Sequence, residues 1–180
     1  MSARWDERLE VAKSIDLSKD SAIREIAYMY TGYIDSGHPE LLENIMSEDV
    51  ELEMPHFNVH AKGIKNVVAA YRPSQPPGPN TLRNVESRHQ ITSELVDISP
   101  DRKEAKNSSL YIATAIRGTS LQMWAGFYLF RLRKIRGLWK IVYYKIDRVF
   151  DIDIPGVNPR GAGLPPPGQT QPVTRAPGLI

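Results

Sequence analysis

Two ionisable residues of this 180-residue chain sit where the local pattern asks for something else. His89 lies in the stretch NVESRHQITSELVDI. Strand alternation puts it on one face with Val85, Ile91 and Leu95, and puts Arg88, Gln90 and Glu94 on the other. An imidazole among inward aliphatic side chains is either a core histidine with a local hydrogen bond or a general base on the floor of a pocket. Imidazole is the side chain best matched to proton transfer near neutral pH. Asp35 closes the apolar helical run in YMYTGYIDSGHPELLENI. A helix C-terminus carries partial negative charge, so a carboxylate there costs about 0.3–1 kcal/mol. Either Asp35 bonds nearby backbone amides in a turn, or it pairs with a distant group. Bonded to one ring nitrogen of His89, it would fix the tautomer and make the other nitrogen the better base.

Other polar and aromatic groups are placed to line such a pocket. Tyr30 lies on the apolar stripe of the first long helix. Tyr111 and Thr114 fall on opposite faces of one strand, so a regular strand turns at most one of them inward. Trp124 shares strand parity with Tyr128. Tyr143 and Asp147 share parity with Trp139 and Ile141, and Asp147 also fits the solvent end of its strand. A phenol can polarise a carbonyl or hold an enolate oxygen, and aromatic walls suit a polycyclic or terpenoid ligand. Each aromatic taken singly also fits plain core packing.

Metal and nucleotide chemistry find little support. His56 and His60 stand four apart, but Pro55 argues against a helix there and no carboxylate close in sequence completes a ligand set. His38 falls in a turn between helices and is expected in solvent. Neither G-x-G-x-x-G nor G-x-x-x-x-G-K-[ST] occurs. No cofactor and no metal is expected. The chain has no cysteine, which removes disulfides, zinc–thiolate sites and thiol nucleophiles. With 23 basic and 21 acidic residues there is no electrostatic case for nucleic acid. The basic run RLRKIR at 131–136 reads as a solvated hairpin edge. No apolar run has membrane-spanning length and the N-terminus lacks a signal-peptide core. A soluble cytoplasmic protein without a membrane partner is the expectation.

The elements that must position these residues change character along the chain. Residues 1–18 read as a short helix or arm. Ile23, Ile26, Ala27, Tyr30 and Ile34 recur at helical spacing, and Gly37 stops that helix. Pro39 opens a second helix with Leu41, Leu42, Ile45 and Met46 on its apolar face. Val50, Leu52 and Met54 alternate with Glu51 and Glu53 in a half-buried strand. Residues 63–72 read as a third helix, and RPSQPPGPN as a loop. Four long strands come next at 82–98, 104–117, 120–133 and 138–150, with connections so short that they predict an antiparallel meander. Helices first and a sheet afterwards predict an α+β fold. It would be a strongly curved antiparallel sheet forming a cone, an α+β barrel of the cystatin-like kind, with the N-terminal helices on its concave face. Residues 1–154 would form one domain. Residues 155–180, rich in Pro and Gly, would be an extended or disordered tail, or a lid draped over the mouth.

YIDSGHPELLENIMSEDVELEMP, KGIKNVVAAY, RHQIT and AGFYLFRLRKIRGLWKIVYYKIDRVF together resemble the SnoaL-like family of the nuclear-transport-factor-2-like fold. That family includes scytalone dehydratase and polyketide cyclase-like enzymes, and the likeness covers about residues 20–150. It rests on the Asp after the first helix, the His of RHQIT and the RGLWKI turn. In scytalone dehydratase-like enzymes the matching Asp and His transfer protons, which implies a catalytic pair of Asp35 and His89. Two positions depart: a tyrosine before the Asp is Ile34 here, and a second pocket histidine is Thr114. The same substrate is therefore not expected.

The resemblance implies a cofactor-independent dehydratase, isomerase or cyclase. It would act on a small hydrophobic secondary metabolite: a polyketide, meroterpenoid or alkaloid intermediate. Two alternatives share the fold: a non-catalytic small-molecule-binding or scaffold module, and the accessory small subunit of a ring-hydroxylating dioxygenase. A homodimer or homotrimer is expected, because a curved sheet buries an uncovered face against copies of itself.

Overall fold

The computed structural model describes residues 3–71, 87–117 and 120–155. The expected start of the third strand before Ser87 and the expected tail from Gly156 onward lie outside the described residues. Helices α1 (Ala3–Lys13), α2 (Ala22–Asp35) and α3 (Ile64–Tyr71) accompany six strands. These are β1 (Met46–Met54), β2 (Val59–Lys62), β3 (Arg88–Ile98), β4 (Glu104–Arg117), β5 (Ser120–Ile135) and β6 (Leu138–Ile154). They form one curved, unclosed sheet in the order β2-β1-β6-β5-β4-β3. Helix α2 crosses β3 and β4, while α3 covers β1 and β2. Among the described residues no helix is long and apolar enough to cross a membrane.

Local chemistry explains most boundaries. Helix α2 buries Ile23, Ile26, Ala27 and Tyr30 of the expected stripe and leaves Ile34 half-buried. It also buries Met29, Thr31, Gly32 and Tyr33, because α1 lies along its other side. It stops where Gly37 takes φ +78°, which lets the His38 amide reach the Tyr33 carbonyl at 2.9 Å. The expected second helix is only a 3₁₀ segment, Pro39–Asn44, since β1 has already begun at Met46. Strand β2 has no counterpart in the sequence reading. It returns along β1 through the turn Pro55–Phe57 and Asn58, which takes the left-handed conformation that asparagine tolerates. The β5–β6 turn has positive φ at both Arg136 and Gly137, the signature of a type I′ hairpin. It delivers Trp139 into the core, where Nε1 donates to Asp20 Oδ1 at 3.1 Å.

The sheet is not antiparallel throughout. Strand β1 runs parallel to β6, pairing Glu51 with Tyr143 and Leu52 with Tyr144. Parallel neighbours need a long crossover, and the chain between β1 and β6 supplies one. Short-connection arguments read only the meander and miss this pairing.

Three irregularities decide which residues face the helices. In β3 the register slips between Thr92 and Leu95, with Ser93 at φ +53°. In β6, Val142 and Val149 are skipped in the pairing with β5. Each extra residue reverses the inward and outward parity of the residues after it. Leu95 therefore points to solvent, although period-two counting placed it beside His89.

Candidate active site

Asp35 ends α2, and His89 is the second residue of the edge strand β3. Asp35 Oδ1 lies 2.5 Å from His89 Nδ1. Its Oδ2 accepts the His89 main-chain N–H at 2.8 Å, and Oδ1 also accepts the Ser87 hydroxyl at 3.1 Å. The Asp35 side chain is 1% exposed and the His89 side chain 11%. The partners are 52 and 54 residues away in sequence, so the carboxylate is no local turn cap. An edge strand leaves a row of main-chain N–H groups unpaired, and Asp35 satisfies one of them. Three donors around one carboxylate offset its unfavourable place at the helix terminus. An ionised carboxylate only accepts, so Nδ1 carries the ring proton. Nε2 is then bare, and it has no hydrogen-bond partner among the described residues.

Aromatic rings continue from the pair into the core. The His89 ring centroid is 6.3 Å from Tyr111 and 6.3 Å from Trp124, the latter edge-on. Tyr111 stacks on Tyr128 at 4.3 Å, and Tyr128 meets Tyr30 edge-on at 5.6 Å. Beneath them the Tyr30 and Tyr71 hydroxyls are 2.9 Å apart. Burial pushes the phenols of Tyr30, Tyr71, Tyr128 and Tyr144 well above their ordinary range. At Tyr128 the neighbouring phenols and the Asp35 charge add to burial. Burial raises Tyr111 too, opposed by the Arg148 guanidinium. All five therefore stay protonated at neutral pH and are donors.

Arg148 escaped the sequence reading because period two turns it outward. The extra residue Val142 turns Tyr144, Ile146 and Arg148 inward instead. The guanidinium lies 4.6 Å from the Phe57 ring centroid and 5.2 Å from that of Trp124. Nη1 is 3.3 Å from His56 Nε2 and 3.3 Å from Asp151 Oδ2, while Nε is buried without a partner. A guanidinium held between two rings near Tyr111 is a cationic wall beside the pair. The sequence signal for it, a lone arginine late in an apolar strand, means nothing until the bulge is known. Ser87 was missed as well, though it shares His89's parity.

The structure thus brings together Asp35, His89, Tyr30, Tyr111, Trp124 and Tyr128. It does not bring in three other expected residues. Thr114 pairs with Arg88 and Met123, on the outward parity it shares with exposed Ile112. Tyr143 donates to Glu53 Oε2 at 2.9 Å, with Arg131 over its ring. Asp147 pairs with Lys145 at 3.0 Å. The reversal at Val142 moves Tyr143 and Asp147 to the outer face.

That outer face has features of its own. An open groove of about 440 Å³ is lined by Glu51, Asp97, Lys106, Arg131 and Tyr143 among others. His60, for which no carboxylate was expected, has two: Nε2 is 2.6 Å from Glu51 Oε1, and Glu53 faces it across the β1–β2 pair. One ligand atom from each of the three lies within 4.8 Å of the others. The His60–Glu51 and Tyr143–Glu53 bonds hold the three in place, and the group lies across the sheet from His89.

An open, curved α+β sheet with helices over one face and a carboxylate–imidazole pair between them defines a recognisable class. The chain belongs to the family of the SnoaL-like domain, whose model matches residues 16–145. No curated protein matches it in sequence. Among solved structures it is similar to a protein from Novosphingobium aromaticivorans named as a candidate scytalone dehydratase. That one is 21% identical over 79% of this chain and 93% of the other, with TM-score 0.61. It is similar also to the hexachlorocyclohexane dehydrochlorinase LinA-type3 of Novosphingobium barchaimii, at 12% identity, 82% and 96% coverage and TM-score 0.65. A Nostoc punctiforme protein of unknown function with a cystatin-like fold is similar at 19%, 71% and 88%, with TM-score 0.56. At these identities the likeness is one of fold.

Proposed function

We propose that the protein is a cofactor-independent lyase or isomerase working by acid–base chemistry on a small hydrophobic secondary metabolite of the polyketide, meroterpenoid or alkaloid kind. The observation that carries this reading is the 2.5 Å bond between Asp35 and His89 Nδ1, which leaves Nε2 as a base. Nε2 takes a proton from a carbon next to a carbonyl, or from a hydroxyl. Asp35 holds the ring and stabilises the imidazolium that forms. In a dehydration the C–H electrons become the new double bond and the neighbouring C–O bond breaks. The imidazolium then returns its proton to the departing oxygen, giving water. In an isomerisation the same proton returns to another carbon. The protonated phenols supply donors for an enolate oxygen, and Arg148 supplies positive charge for a leaving anion. The names of two structural neighbours, a dehydratase and a dehydrochlorinase, denote eliminations and favour the lyase form.

The test is a panel of cyclic hydroxyketones incubated with the protein in D₂O and followed by NMR. Wild type is expected to exchange the proton next to the carbonyl or eliminate water. The Asp35→Ala, His89→Ala double variant is expected to lose about 10²–10⁴ of that rate. Full activity in the double variant, or tight binding with no turnover by the wild type, would sink the proposal. We also propose that copies of the chain assemble through the apolar half of the outer sheet face.

A further inference from the structure

We infer that Ser87 is a positioning residue of the Asp35–His89 pair. The inference rests on the proton-transfer reading above and adds a component to it. Two bonds tie the Asp35 carboxylate to His89, one to the ring and one to the main chain. Both come from a single residue. The terminal torsion of aspartate is broad, so such a carboxylate can still rock about its Cβ–Cγ bond and carry the ring with it. The Ser87 hydroxyl adds a third point of attachment from a different residue, at 3.1 Å to Oδ1. Positions 87 and 89 share strand parity, so serine and imidazole reach the same carboxylate from one side of the chain. Ser87 is itself fixed, since its carbonyl accepts the Arg88 Nη1 at 2.5 Å and β3 pairing starts at Arg88 with Thr114.

The chemistry of the third bond differs from that of the other two. The hydroxyl donates to the same oxygen that holds the Nδ1 proton. It therefore draws on the charge that Oδ1 offers the imidazole while preventing that oxygen from turning away. Serine suits the place because its hydroxyl is a short single donor. Alanine leaves Oδ1 free to turn. Threonine keeps the donor, and valine has nearly threonine's shape without it.

The experiment uses the full chain labelled with ¹⁵N-histidine, in which the His89 ring reports its own tautomer and the exchange of its Nδ1 proton with water. Wild type is expected to show the Nδ1–H tautomer with a protected proton. Ser87→Ala and Ser87→Val should keep the tautomer but let that proton exchange about ten- to a hundredfold faster, the factor that one hydrogen bond to a charged group is worth. Ser87→Thr should restore protection. Equal exchange in the threonine and valine variants would overturn the role of Ser87, because the two differ only in the hydroxyl. If Asp35→Asn leaves the ring in its wild-type tautomer, the pair itself fails. If Asp35→Asn changes the tautomer while Ser87→Val matches wild type in exchange, the pair stands and Ser87 plays no part in it.

Discussion

The inner and outer faces of the same strands handle polar groups in opposite ways. The inner face holds few charges and surrounds each. Asp35 has three donors, and Arg148 lies between two rings with His56 and Asp151 at its tip. Its remaining polar groups are mainly tyrosines, kept neutral by burial. The outer face divides. Beside β1 and β2 it is ionic, with Glu51, Glu53, His60, Arg131, Lys145 and Asp147. Toward the far ends of β4, β5 and β6 it is mainly apolar: Leu110 lies opposite Phe127, Ile112 opposite Ala125, Ala125 opposite Phe150, Met123 opposite Ile152 and Leu121 opposite Ile154, with Thr114 beside Met123 and Asp147 beside Phe127. Water screens the ionic half, so pairing there is loose and cheap. Inside, a polar group is costly unless it is paired or neutral, and the Arg148 Nε is the charged donor left without a partner there. Three experiments put that contrast at risk.

The largest effect is expected from alkali. The phenols of Tyr30, Tyr71, Tyr128 and Tyr144 have their folded-state values raised by burial. Below about pH 10 both folded and unfolded chains keep these protons, so nothing is lost. Above it the unfolded chain ionises and gains free energy that the folded chain cannot match until its own raised values are reached. Stability is therefore expected to fall steeply as the pH rises past about 10. Phenolate absorbance and circular dichroism would be followed together. The buried phenols should appear only as the far-ultraviolet signal is lost. Ionisation of all eight tyrosines with the signal intact would mean that water reaches the inner face freely.

A smaller loss is expected from Gly126→Ala. Gly126 pairs with Arg148 where β6 carries the extra residue Val149, and an added methyl would overlap the Asp147 carbonyl. Backbone cannot step aside as a side-chain tip can. Crowding of this kind typically costs about 1–3 kcal/mol, and a rigid backbone obstacle argues for the upper end, about 3 kcal/mol, read from urea unfolding. A cost below about 0.5 kcal/mol, the size of an ordinary surface change, would mean that the bulge yields. The placement of Arg148 inside would then be soft as well.

The same bulges decided how much of the site could be read in the sequence. The Asp35–His89 pair was legible because each residue broke a local rule before any irregularity intervened. Asp35 ends a regular helix, and His89 precedes the slip at Ser93. Tyr111, Trp124 and Tyr128 were legible because β4 and β5 alternate regularly over those residues. Tyr143 and Asp147 were misplaced, and Arg148 missed, because Val142 reverses parity and a valine in a strand looks the same whether it is paired or skipped. Thr114 stood as one of two opposed choices, and the sheet chose Tyr111. The parallel β1–β6 pair was invisible for another reason: it joins segments about ninety residues apart, with no turn between them to read.

The smallest change in fold stability should accompany Phe150→Ser, and for that reason it isolates the outer face. Phe150 is 47% exposed and sits in the apolar rung with Ile112 and Ala125. In a lone chain about half of its surface is already buried, so its replacement should lower the unfolding free energy by about 1 kcal/mol. If copies assemble through this half, the same ring is buried between them and its loss should weaken association by the worth of an aromatic anchor, about 2 kcal/mol or roughly 30-fold. Sedimentation equilibrium of the wild type and the variant separates the two quantities. A wild type that remains monomeric, or an assembly that Phe150→Ser leaves as tight as before, would remove the apolar half as the contact. Glu51→Gln, in the ionic half of the same face, should leave association unchanged. Weakening by Glu51→Gln with none by Phe150→Ser would place the contact over the groove beside Tyr143. The division of the outer face would then mark water on its apolar side and protein on its ionic side, the reverse of what burial energetics favours.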